Sequence, residues 1–150
     1  MSARRAAGRP EPFALPFEVR DYECDLQGIV NNAVYQHYLE HTRHHFLKQH
    51  GLRFAELSKA GINLVVIRAE LDYKSPLRSG DRFVVTLEMA RSSAVTFEFV
   101  QEIYRVGGEG ARKLVLSSRF VCAAMNRAGK PIKPDILEKV SDTFPRLRSV

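Results

Sequence analysis

Cysteine pairs, long apolar runs and phosphate-binding motifs are what this sequence lacks. No stretch approaches the ~20 consecutive apolar residues that a membrane-spanning helix needs. The opening segment MSARRAAGRPEP is basic and carries no apolar stretch of the secretory-signal kind. Cys24 and Cys122 form neither a CxxC pair nor part of a ligand cluster. They read as free thiols of a cytoplasmic chain, with one disulfide between them as the alternative. No GxxxxGKS/T or GxGxxG follows a strand-like run, and GGEG at 107–110 lies between two such runs, which excludes a nucleotide P-loop. GxSxG is absent too, so a serine-hydrolase elbow has no support. No internal repeat or linker divides the chain.

What is present suits one domain, since 150 residues match the usual size of roughly 100–150. With 45% hydrophobic residues the chain can bury a core, and 27% charged residues argue for a soluble surface. Residues 1–12 are expected to be a disordered basic tail, and 13–150 the single domain. The net charge of +6 attracts anionic partners such as nucleic acid, phosphorylated cofactors or an acidic carrier protein. Part of that excess, Arg4, Arg5 and Arg9, sits in the tail. No nucleic-acid motif and no basic strand interleaved with aromatics accompanies it.

Periodicity supplies the elements. Phe13 to Tyr22 alternates as a first strand. Asn32 is a candidate N-cap, its side chain able to accept from free first-turn N–H groups. Val34, Tyr38, Thr42 and Phe46 then form one stripe beside Tyr35, Leu39 and Leu47, the period of an amphipathic helix that stops at Gly51. FAELSKAG adds a short helical turn. Val65, Ile67, Ala69, Leu71 and Tyr73 alternate with Arg68, Glu70, Asp72 and Lys74, which predicts a strand with one buried face. Further strands follow over Phe83–Met89, Val95–Val106 and KLVLSSRFVCAAMN, with turns at SPLRSGD, GGEG and NRAGKP. A last short helix is expected at 134–140. One helix and about five strands predict an α+β fold, a curved antiparallel sheet wrapped around one long central helix.

The five histidines, His37, His41, His44, His45 and His50, all fall on or at the end of that helix. His37, His41 and His45 form a stripe, but no neighbouring cysteine or carboxylate cluster completes a metal site, so the stripe reads as a solvated or interface face. Cys24 has no assigned base to activate it and reads as a small buried residue.

Asp25 carries more. An isolated Asp before LQG fits a turn or cap. Yet LQGIVN is too long and apolar for a simple cap, and Gly28 lets the backbone come close to a bound group. The amides around Asn31, Asn32 and Ala33 would be free donors at the positive end of a helix dipole. A carboxylate facing such a terminus has the two halves that acyl transfer needs, a base or nucleophile and an oxyanion stabiliser.

The run VRDYECDLQGIVNNAVYQHYLEHTRHHFL resembles the signature of hotdog-fold thioesterases of the 4-hydroxybenzoyl-CoA thioesterase family. It is most similar to the plant acyl-lipid thioesterase-like branch, in which SPLRSGDRFVV also has a counterpart. The resemblance spans roughly residues 14–135. It implies hydrolysis of an acyl-CoA or acyl-carrier-protein thioester, in fatty acid or polyketide metabolism, with Asp25 as nucleophile or general base. It implies a carbonyl-polarising backbone amide near Asn32, with Gly28, Asn31, Tyr35 and Asn63 near the substrate. It places Arg91, Ser92 and Ser93 in the loop that meets the nucleotide end of CoA. No cofactor is implied beyond the CoA or phosphopantetheine of the substrate. The site is implied to lie between subunits of a homodimer or homotetramer, with no nucleic acid and no membrane involved. A non-catalytic acyl-thioester-binding hotdog module is the alternative.

Overall fold

The computed structural model describes residues 12–133. The tail before Pro12 and the helix expected at 134–140 lie outside them. Strand β1 (Phe13–Glu18) leads through a 3-10 turn (Asp21–Glu23) to helix α1 (Asn32–Gln49) and the short helix α2 (Phe54–Lys59). Strands β2 (Asn63–Tyr73), β3 (Arg82–Arg91), β4 (Thr96–Val106), β5 (Arg112–Met125) and the two-residue β6 (Pro131–Ile132) follow. The sheet is antiparallel in the order β1-β3-β4-β5-β2, with β6 added against β5. One long helix against one curved sheet is the hotdog arrangement.

The core lies between α1 and the sheet. Tyr35, Tyr38, Leu39, Phe46 and Leu47 of α1 are buried with Phe83, Val85 and Leu87 of β3, Phe97, Phe99 and Ile103 of β4, and Val115, Leu116 and Phe120 of β5. Tyr38 packs on Phe83 at 4.7 Å between ring centroids, and Phe46 meets Phe13 edge-on at 5.4 Å. Among the strands, α1 lies chiefly over β3 and β1.

Four expectations need correction. The first strand ends at Glu18 rather than Tyr22, because the chain turns into the 3-10 segment. The N-cap is Asn31, not Asn32: Asn31 is extended (φ −59°, ψ 137°) and its Oδ1 accepts from the Ala33 N–H at 3.0 Å. A sixth, two-residue strand follows the NRAGKP turn. On β2 the expected buried face is largely open, with Ile67 53% and Tyr73 49% exposed. A register shift between Val66 and Arg68 breaks the alternation, and α1 meets this strand at the Tyr73 end while lying chiefly over β3 and β1. β2 pairs with β5 along one edge, and no strand among the described residues occupies the other.

Phe46 is fully buried at the helix–sheet contact. Phe46→Ala is expected to lower the unfolding free energy by about 3–5 kcal/mol, read from urea denaturation followed by circular dichroism.

Candidate active site

Asp25 stands in a tight hairpin between the 3-10 turn and α1. Its N–H donates to the Ile29 carbonyl at 2.8 Å, the Gly28 N–H returns to the Asp25 carbonyl at 3.0 Å, and the Asn31 N–H reaches the Glu23 carbonyl at 3.0 Å. Cys24 and Val30 face each other across an antiparallel bridge, so the half-buried Cys24 is part of the hairpin frame. Oδ1 of Asp25 accepts from the Gln27 N–H at 2.8 Å, a turn bond within the loop. The carboxylate is exposed. Gly28 holds φ +77° with nothing near the position of a Cβ, so the glycine is required by its backbone and the space beside it is open.

The hairpin is anchored from below. The Val30 N–H donates to the Leu77 carbonyl at 2.8 Å, and the Leu77 N–H donates to the Tyr35 hydroxyl at 3.0 Å. Tyr35 is buried, which raises its pKa, while the hydrogen bond from Leu77 acts the other way. Its ring also meets Tyr73 edge-on at 5.5 Å, and the Tyr73 hydroxyl donates to the Asn32 carbonyl at 3.0 Å.

This frame decides which helix amide is free. The Asn31 N–H goes to Glu23, the Ala33 N–H to the Asn31 side chain and the Val34 N–H to the Asn31 carbonyl. Among the described residues, none accepts from the Asn32 N–H. The result is one unpaired donor at the positive end of an 18-residue helix, a few residues along the chain from an exposed carboxylate. Such a pair can polarise a carbonyl and deliver a base or nucleophile to it.

Asp25, Gly28, Asn31, Asn32 and Tyr35 therefore belong to one region of the chain fold. Asn63 and the Arg91–Ser93 segment do not join it within the subunit. Asn63 opens β2 opposite Met125, whereas Tyr73, ten residues and roughly 33 Å further along the strand, is the end that meets α1. Arg91 closes β3, while the opposite end of β3 lies by the hairpin through the Val19 and Ser79 contacts. Ser92 and Ser93 are exposed and bond Thr96. Asn63 and this loop share the same end of the sheet, because Val65 and Thr96 both stand opposite Ala123.

Cavities lined by described residues lie on both flanks of α1. One of about 850 Å³ lies against β1 and is lined by Phe17, Tyr38 and the histidine stripe. There His41 meets the Phe17 ring at 5.7 Å and His45 meets Phe13 at 6.2 Å. The buried Tyr38 hydroxyl has its pKa raised by burial first and by the Glu23 carboxylate beside it next. The second cavity, of about 210 Å³, lies on the opposite flank under α2 and the start of β2 and is bordered by Arg43. The periodicity reading passed over Arg43, although an arginine four residues after Leu39 and three before Phe46 sits on the apolar helix face.

The fold and the hairpin define a hotdog protein of the thioesterase kind. Residues 19–140 match the model of the thioesterase-like superfamily, and the chain belongs to that family. It is 32% identical over 126 residues to the chloroplastic acyl-acyl carrier protein thioesterase ATL3 of Arabidopsis thaliana, covering 84% of this chain and 65% of that protein. It is 40% identical over 92 residues to ATL2 of the same plant, covering 61% of this chain and 49% of that protein. The chain thus spans about half to two thirds of the length of these relatives. The solved 4-hydroxybenzoyl CoA thioesterase from Pseudomonas sp. strain CBS-3 shares the fold, with a TM-score of 0.76 at 15% identity over 87% of this chain and 99% of that one.

The two asparagines separate in stability. Asn31→Ala, which removes the cap, is expected to cost about 1 kcal/mol. Asn32→Ala, on an exposed helical position, should stay within about 0.5 kcal/mol of the parent in urea titrations.

Proposed function

We propose that the chain hydrolyses an acyl thioester presented on CoA or on the phosphopantetheine of an acyl carrier protein. The free Asn32 amide beside the Asp25 hairpin is the observation that carries this reading. The thioester carbonyl accepts from the Asn32 N–H, which stabilises the negative oxygen of the tetrahedral intermediate. Asp25 either attacks the carbonyl carbon, giving an acyl anhydride that water then opens, or takes a proton from the attacking water. In both routes the C–S bond breaks, the thiolate leaves and is protonated, and a free acid remains. The names of the plant relatives favour a carrier-protein substrate; the basic charge suits both carriers. The turn bond from Gln27 to Asp25 favours the second reading, a module that binds an acyl thioester without cutting it.

The reading needs a second copy of the chain. Leu26 at the hairpin tip is fully exposed, and Val66, Ile67 and Tyr73 are about half exposed along the free edge of β2. An open, apolar edge strand invites pairing. Twofold antiparallel pairing of β2 with itself sets the Asn63 end of one copy against the Tyr73 end of the other. That supplies Asn63 and Arg91–Ser93 to the Asp25 hairpin of the neighbour, residues that one subunit alone keeps apart.

Two substitutions test the chemistry. Asp25→Asn should lower kcat by at least about 10² on an acyl-CoA panel in a protein that melts as the parent does. Asn32→Pro removes the N–H at the first helical position, where proline is accommodated and where the extended Asn31 suits a following proline. It is expected to keep the fold and to cost about 10²–10³ in kcat. Near-parental turnover in folded Asp25→Asn and Asn32→Pro would remove both groups from the chemistry, whereas no turnover by the parent chain on either carrier would leave the binding-module reading. Turnover of one acyl group on CoA and on carrier protein separates the two carriers.

Ile67→Lys places a charge on the open edge. It should shift light-scattering mass from an assembly toward monomer and reduce turnover with it; an unchanged mass and turnover would argue against pairing through β2.

A further inference from the structure

We infer that the cavity beneath α2 binds the far end of the acyl group and selects chains that end in a carboxylate, Arg43 receiving it. This rests on the thioesterase reading and names its substrate class.

The cavity is walled by Leu47, Phe54, Leu64, Phe97 and Phe99, with the Arg43 guanidinium set among them and Glu40 and His44 also on its lining. Arg43 is 8% exposed and is the one buried charged side chain among the described residues. Its Nη1 donates to Gln101 Oε1 at 3.1 Å, and its Cζ lies 4.1 Å from the centroid of the Phe120 ring. Gln101 is itself fully buried and fixed by a 3.0 Å bond from its Nε2 to the Leu39 carbonyl. The guanidinium is thus held in one orientation. No carboxylate among the described residues pairs with it, and a guanidinium has five N–H donors. Its remaining N–H groups reach solvent, since the Tyr38 hydroxyl is the one fully enclosed side-chain polar atom without a partner among the described residues. An apolar ligand with an anionic end meets both the walls and the charge.

The same helix face leads from the chemistry to this cavity. Asn32, Gln36, Glu40, Arg43 and Leu47 follow one another at intervals of three and four and so share a face of α1. Eleven residues separate Asn32 from Arg43, about 17 Å along the axis, the reach of an extended medium-to-long acyl chain. At the cavity mouth Glu40 lies 3.8 Å from His44, whose pKa is lowered chiefly by burial. Glu40 is exposed and screened by water, whereas Arg43 is mostly buried. The deeper charge governs a ligand that reaches the bottom. Cys122 also lines the cavity; burial pushes its thiol up to about 11 and Arg43 partly opposes this, so at neutral pH it adds no negative charge.

The test compares lauroyl-CoA with its ω-carboxy counterpart on the full-length wild-type chain. The ω-carboxy ester should show kcat/KM higher by about tenfold or more, the discrimination one charge-assisted hydrogen bond supplies. In Arg43→Gln that ratio should fall toward one. Equal turnover of both esters by the wild type overturns the inference and leaves the thioesterase reading standing. Turnover of neither acyl group, on CoA or on carrier protein, overturns that reading, and calorimetric titration with laurate and lauryl alcohol then decides on the cavity alone. Laurate binding at least about tenfold tighter than the alcohol upholds the Arg43 site; equal binding removes it.

Discussion

Leu77 ties the structure together. Its carbonyl accepts from Val30 and its N–H donates to Tyr35, so one buried residue joins the loop before β3 to the hairpin before α1 and to the first turn of α1. Two neighbouring segments and a third far along the chain are held there by two hydrogen bonds with no competing water, since Leu77 and Tyr35 are both buried. Losing either bond would strand a buried polar group, which costs more than the bond is worth when made. The bonds of Asp25 close the hairpin, and this tie fixes where the hairpin stands relative to the helix end.

The capping pattern then acts by subtraction. A helix begins with several unpaired amides, and in most helices side chains and water share them. Here Asn31 takes the Ala33 N–H with its side chain and the Val34 N–H with its carbonyl, while its own N–H is consumed by Glu23. Asn32 is left with the free donor. A single aimed N–H in a rigid setting is more useful to a developing oxyanion than several mobile ones, because little reorganises when charge appears. The first asparagine caps through its side chain, and the second leaves its backbone N–H free.

The helix, its approximate start and the strand order were legible because they depend on local periodicity and turn residues. The hairpin at Asp25 could be read from Gly28 and the twin asparagines for the same reason, although choosing between Asn31 and Asn32 as cap required backbone angles. β2 misled. Alternation from Val65 to Tyr73 states which residues share a face, but not whether anything covers that face. Cover depends on where α1 lies, and α1 sits over β1 and β3. The separation of Asn63 from Asp25 was hidden likewise, because it follows from sheet order and strand direction. Arg43 was passed over because a charged residue in an apolar stripe reads as a flaw in the pattern instead of as its content.

Net charge and buried charge carry different information here. An excess of +6 spread over a surface attracts any anion weakly and is damped by salt within about 10 Å at ordinary ionic strength. Arg119 illustrates the ordinary case: it is exposed, bonds Glu98 at 2.6 Å and leaves no unmet demand. Arg43 is the opposite case, a mostly buried cation braced by an amide and an aromatic face, with no carboxylate among the described residues in an ion pair with it. Bracing without neutralisation is a poor way to build a core, since apolar side chains of similar volume would fill the space at lower cost. It is a reasonable way to build a receptor, because the orientation is fixed before the ligand arrives and the charge is met only when it does. On the proposed reading, the surface excess would draw acyl carriers of either kind, and a fixed, mostly buried charge would discriminate among acyl groups.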